Sequence, residues 1–189
     1  MRTRDNRGFT LMEIMVVIAM IAILVAVATP QINRSFDNFQ FSNGMRMMLN
    51  GMNRAKGEAM NSGLFTTVLF TTDANGRERY TAFVDDGAGG GTIRNGVRDG
   101  AERQITTGTL PLGVTINTAA AATTFQRNAG GDYYTQFSSV GFPVGTNPLD
   151  GAALINYSGQ ITYNATIGGQ VVTQFIQLGI GGRMTITRG

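Results

Sequence analysis

The chain reads as an α+β protein, on two observations. A long N-terminal stretch carries helical apolar spacing, and from Leu64 onward the pattern shifts to short apolar runs broken by turn residues. Composition agrees: 26 glycines against only 14% charged residues favour a turn-rich β body over a helical bundle. The 189 residues suffice for one folded domain with an appended helix.

The first element is Phe9–Ala28, an apolar run in which only Thr10 and Glu13 are polar. As a helix it would span about 30 Å, the thickness of a bilayer core. Arg2, Arg4 and Arg7 precede it, whereas Arg34 and Asp37 balance just after it. This asymmetry predicts a cytoplasmic leader and an exported body. The apolar core is longer than that of a cleaved secretory signal, and no small-residue cleavage site with a polar flank follows it. A plain transmembrane anchor would leave Glu13 unexplained, because an unpaired carboxylate near an apolar helix end is costly.

Pro30 is expected to kink or interrupt any helix continuing past it. Beyond it, Ile32, Phe36 and Phe39 are followed by Phe41, Met45, Met48, Met52, Ala55 and Ala59. The second set steps by alternating fours and threes, the stripe of an amphipathic helix whose methionines pack a core. Gly63 is the expected C-cap. Strands are then predicted at 64–71, 80–84, 110–116, 123–126, 134–137, 152–157, 160–163, 171–180 and 183–187, with hairpin turns at Ser158-Gly159 and Gly181-Gly182. The resulting organisation is a leader over 1–8, a membrane and assembly helix over 9–29, an amphipathic helix over 30–63 and a β-rich body over 64–189.

Several chemistries are excluded by composition. With neither cysteine nor histidine there is no disulfide framework, no zinc site built on those ligands, no thiol nucleophile and no imidazole acid–base pair. Ser138, Ser139 and Ser158 have no base, and Lys56 is the single lysine. No catalytic residue and no cofactor is expected. Asp85-Asp-Gly-Ala-Gly-Gly-Gly91 with Asp99 and Glu102 gathers carboxylates, but without the alternating oxygen ligands of a calcium loop, so no metal is expected. The same glycines lack the lysine and following helix of a phosphate cradle. The net charge of +3 is mostly a property of residues 1–8; the remainder holds 12 Lys+Arg against 11 Asp+Glu. That balance leaves no polyanion footprint by itself.

Arg7-Gly8-Phe9-Thr10-Leu11-Met12-Glu13 resembles the prepilin signal of type IV pilins and type II secretion pseudopilins. The resemblance implies cleavage between Gly8 and Phe9, N-methylation of Phe9, and pairing of Glu13 with the N-terminal amine of a neighbouring subunit. Met12-Glu13-Ile14 stands where the family usually carries Ile-Glu-Leu. Implied partners are other pilins or pseudopilins, a prepilin peptidase and methyltransferase, an inner-membrane assembly platform and the lipid bilayer. The expected location is the inner membrane, single-pass with a periplasmic body, and then a filament.

Arg54-Ala-Lys-Gly-Glu58-Ala-Met-Asn61, Phe83–Asp86 with Asn95–Asp99, Phe137–Gly141 and Gly182–Ile186 are similar in order to stretches of the GspH/FimT family of minor pseudopilins. That likeness favours a minor subunit over a major structural pilin. Some FimT-like relatives take part in DNA uptake through a basic C-terminal motif. Here Arg183 keeps its first arginine and the second is lost, leaving Arg188 and Arg127 as candidates for a weak, salt-sensitive DNA contact.

Overall fold

In the computed structural model, residues 9–119, 121–146, 153–155 and 157–189 are described. A single helix, α1 (Leu11–Ser62), leads into eleven strands among these residues. Thr10 caps its N-terminus in extended conformation, its side chain accepting from the Glu13 N–H at 3.2 Å. Gly63 caps the C-terminus in the left-handed region at φ 71°, its N–H reaching the Ala59 carbonyl, as the sequence predicts.

Pro30 lies inside α1, so of the expected kink or interruption the interruption does not occur. Proline removes one backbone hydrogen bond, and the helical turns on either side retain the rest. The neighbouring Thr29 hydroxyl donates to the Val25 carbonyl at 2.7 Å, adding a side-chain bond at the same turn. At about 1.5 Å per residue the uninterrupted helix is close to 80 Å long.

The strands are β1 (Thr66–Thr72), β2 (Glu78–Val84), β3 (Gln104–Thr109), β4 (Val114–Ile116), β5 (Gln126–Arg127), β6 (Tyr133–Phe137), β7 (Pro143–Thr146), β8 (Ala153–Ile155), β9 (Gly159–Ile167), β10 (Gln170–Leu178) and β11 (Met184–Arg188). They form two antiparallel sheets, β3-β2-β1-β6-β7-β8 with β5 beside β6, and β11-β10-β9-β4. The upper half of α1 packs on both. Phe41, Met45, Met48, Met52, Ala55 and Ala59, the whole predicted stripe, are buried against Val68, Phe70, Leu110, Ile161 and Ile176.

Several strand expectations need correction. β3 and β7 lie outside the predicted strands, and the predicted 110–116 strand is a turn followed by the short β4. Ser158-Gly159 is not a hairpin turn: β8 pairs with β7 in one sheet, while β9 belongs to the other. The hairpin lies instead at Gly168-Gly169, both at positive φ, where two successive left-handed residues match the twist of β9 and β10. The Gly181-Gly182 turn stands, closed by Gly182 N–H to Gly179 O at 2.8 Å.

Tyr80 fixes the distance between helix and sheet. Its ring lies between Gly51 of α1 and Gly108 of β3, and its hydroxyl donates to the Met47 carbonyl at 3.1 Å. A Cβ at Gly51 would overlap the ring, whereas one at Gly57 would meet nothing within 4 Å. The two glycines therefore answer alanine with opposite signs. Gly57→Ala should stabilise the fold by about 0.5–1 kcal/mol through backbone entropy. Gly51→Ala should destabilise it by about 1–3 kcal/mol through overpacking. Urea titrations followed by far-UV circular dichroism would show both.

Glu78 joins the two sheets. From β2 its carboxylate accepts the Thr72 hydroxyl and the backbone N–H of Ile116 in β4, both at 3.2 Å. Burial raises its pKa above the ordinary 4.5, outweighing these two hydrogen bonds. A carboxyl whose pKa is raised by folding favours the fold most when protonated, and that contribution fades as pH rises through the folded value. Glu78→Gln should thus match or exceed the native melting temperature at pH 7, with a flatter dependence between about pH 4.5 and 7.

Candidate functional site

The N-terminal segment is the candidate site. Phe9 is 79% exposed, Thr10 is the helix cap, and Glu13 occupies the third helical position, exposed and facing no cation among the described residues. The Thr10-Leu-Met-Glu13 spacing is half of a capping box, with the threonine bonding the glutamate's N–H. T-x-x-E is the sequence signal of such a box, but the bond made uses the backbone N–H of residue 13, and the Glu13 carboxylate has no hydrogen-bond partner among the described residues. Gly8 and the leader lie outside the described residues.

From Leu11 to Val27 the helix leaves its large apolar side chains open, and its most apolar 18-residue window, of mean hydropathy 2.9, has no residue buried in the body. Such a surface has two stable environments, hydrocarbon or the same kind of surface on another helix. By length and composition α1 can cross a bilayer.

The acidic loop between β2 and β3 is occupied by its own backbone. Asp85 is fully buried and accepts four hydrogen bonds: Thr67 hydroxyl at 2.7 Å, Gln136 amide at 2.9 Å, and the N–H groups of Arg94 at 2.5 Å and Gly96 at 3.1 Å. Glu102, 2% exposed, accepts Gly87 and Asp99 N–H, each at 3.1 Å. Its pKa is raised mainly by burial, with the nearby Asp85 and Asp99 adding to the shift. No group of three or more His, Cys, Asp or Glu side chains is arranged so that it could hold a metal ion among the described residues. These carboxylates brace an irregular loop, a role that sequence spacing alone could not reveal because Thr67 and Gln136 arrive from distant strands.

The three arginines do not lie on one element. Arg127 belongs to β5 of the larger sheet, where its guanidinium stacks 4.3 Å from the Tyr133 ring centroid and donates to that tyrosine's hydroxyl. Arg183 directly precedes β11 of the other sheet and Arg188 is the last residue of that strand, about 16 Å away at strand rise. Arg188 donates to Asn38 of α1 at 3.3 Å.

A capped apolar helix, exposed along its lower half and joined to a β body by its upper half, defines a pilin-like architecture. Residues 3–29 match the sequence profile of the prokaryotic N-terminal methylation motif, a match confined to the N-terminal segment. No curated protein and no solved structure matches the chain. The motif and the helix together support a type IV pilin-like precursor processed by prepilin peptidase, a membrane-anchored structural subunit that enters a filament with other pilins.

Proposed function

We propose that the chain is the precursor of a minor pilin or pseudopilin of the GspH/FimT kind. Prepilin peptidase cuts between Gly8 and Phe9, Phe9 is N-methylated, and Glu13 pairs with the terminal amine of an adjacent subunit. The subunit first spans the inner membrane once through residues 9–29 with its body in the periplasm. An assembly platform then transfers it into a type II secretion pseudopilus or type IV pilus, at initiation or at the tip.

The observation that supports this reading is the unburied apolar half of α1, continuous with a packed body that leaves it nothing to fold against. Burying that surface in a helix bundle, with the acid neutralised by a cationic terminus, uses every residue of the segment. Gly8→Leu should retain the leader, seen as the unprocessed intact mass in membranes where the native chain appears shortened and methylated. The native chain should be a trace component of sheared filaments. Finding it as the dominant band would make it a major pilin and overturn the minor role.

A further inference from the structure

The upper half of α1 has two faces. The core stripe described above is one. On the opposite face, Ile32, Phe36 and Phe39 are succeeded by Asn43, Arg46, Asn50 and Arg54, at steps of three and four that keep all seven on one side of the helix. All seven are exposed, the three apolar ones at 61–67%. Above Phe39 this face borders an open groove of about 490 Å³, whose lining includes Asn43, Arg46, Asn50, Arg54, Tyr80 and Thr106. Arg46 and Arg54 meet no carboxylate within ion-pair distance among the described residues; the ion pair found there joins Arg103 to Glu58.

We infer that this face is a docking surface for the α-helix of a different pilin-like subunit, one that carries an apolar stripe followed by carboxylates about two to four turns farther on. The inference rests on the filament reading proposed above. A neighbouring helix packed along Ile32, Phe36 and Phe39 is carried upward onto Arg46 and Arg54. Those two lie eight residues apart, about 12 Å of helix, so acids two turns apart on the partner reach both. The chain cannot supply these acids to a copy of itself. The acidic residues of α1 are Glu13, Asp37 and Glu58. Glu13 lies in the apolar segment, Asp37 turns toward the core side beside Phe41 and Leu112, and Glu58 is held by Arg103. In-register self-packing would set Arg46 against Arg46. The face therefore attracts an acidic neighbour and repels its own kind, which is selection by charge. Nucleic acid is disfavoured as occupant because Tyr80, the groove's aromatic side chain, is 3% exposed and offers no stacking platform.

The absence of cysteine makes the test direct. Full-length chain bearing Asn50→Cys is co-expressed in one membrane as two size-tagged forms, one native at 46 and 54, the other carrying Arg46→Glu and Arg54→Glu. After oxidation, the mixed disulfide dimer should exceed the native–native dimer by about tenfold beyond the roughly twofold excess of random pairing between equal pools, the factor expected for replacing like-charge with opposite-charge contacts worth about 1.4 kcal/mol. A ratio of about two, the value for pairing without charge preference, would overturn the inference. Separately, Arg46→Glu/Arg54→Glu should lower incorporation into sheared filaments at least about tenfold, while Arg46→Lys/Arg54→Lys retains it. Unchanged incorporation of the charge-reversed chain, with native melting temperature, would also overturn it. A charge-reversed chain that enters filaments normally but loses retardation of labelled DNA would assign the groove to nucleic acid instead. If the native chain never enters filaments, the functional reading fails first and takes this one with it; if native and reversed chains enter equally, only this inference falls.

Discussion

Asp85→Ala should cost about 3–5 kcal/mol, because several neutral donors lose one buried acceptor at about 1–3 kcal/mol each. The carboxylate takes four donors and is completely shielded from water. Removing it takes the acceptor from the buried Gly96 N–H and Thr67 hydroxyl and from the half-buried Arg94 N–H, and leaves the Gln136 amide only its bond to Thr67; each buried donor left unpaired carries a penalty of about 1–3 kcal/mol. Three of the four donors converge on Oδ2 and only Arg94 N–H on Oδ1. Asp85→Asn can therefore keep its oxygen on the three donors at the Oδ2 position and turn its amide nitrogen toward the Arg94 N–H, which then loses its acceptor, so it should lose about half as much. The loop carries its own reporter in Arg94 and Arg98. Trypsin should cleave there about 100-fold faster in Asp85→Ala than in the native chain, as expected for about 3 kcal/mol of lost local stability. Native cleavage rates in Asp85→Ala would show that the loop is held by something other than this carboxylate.

The parts of the fold that were legible in the sequence are those whose signal is local. The core stripe of α1 repeats over five helical steps, and every one of its six residues is buried. Gly63 needed only the end of that stripe to be placed. Pro30 does not end the helix because the turns on either side absorb one missing bond, which the local rule for proline does not weigh. β3 is hidden for another reason: Gln104-Ile-Thr-Thr-Gly-Thr109 has one large apolar residue and forms a sheet edge with a polar outer side. β7 begins with proline and contains Gly145, two residues that weaken any strand pattern. The sheet to which β8 and β9 each belong is decided by partners far away in sequence, so a tight-turn dipeptide between them is misleading. At the candidate site, the motif was fully readable, whereas the four donors of Asp85 come from β1, β6 and the loop and could be known only after folding.

Glu13→Gln should leave leader removal intact and abolish most filament incorporation, and this substitution separates two roles that alanine confuses. As the third helical residue after Thr10, Glu13 belongs to a capping pattern in which glutamine serves as well as glutamate. A helix-start role predicts that the glutamine variant behaves like the native chain and that alanine is mildly defective, by about 0.5–1 kcal/mol of helix stability at most. A charge-pairing role predicts the reverse ordering of causes. Glutamine keeps the shape, the helix propensity and the hydrogen-bonding capacity, but leaves the terminal ammonium of the adjacent subunit unneutralised inside an apolar bundle. Leaving a buried cation without its partner costs about 3–5 kcal/mol, enough to reduce incorporation by more than about 100-fold. Glutamine and alanine should then fail alike, while Glu13→Asp recovers part of the yield. Intact mass of membrane-bound chain reads processing, and the sheared fraction reads assembly, so the two steps are scored on one preparation. Normal filament entry by Glu13→Gln would confine this residue to starting a helix, and the terminal amine would need another counter-charge.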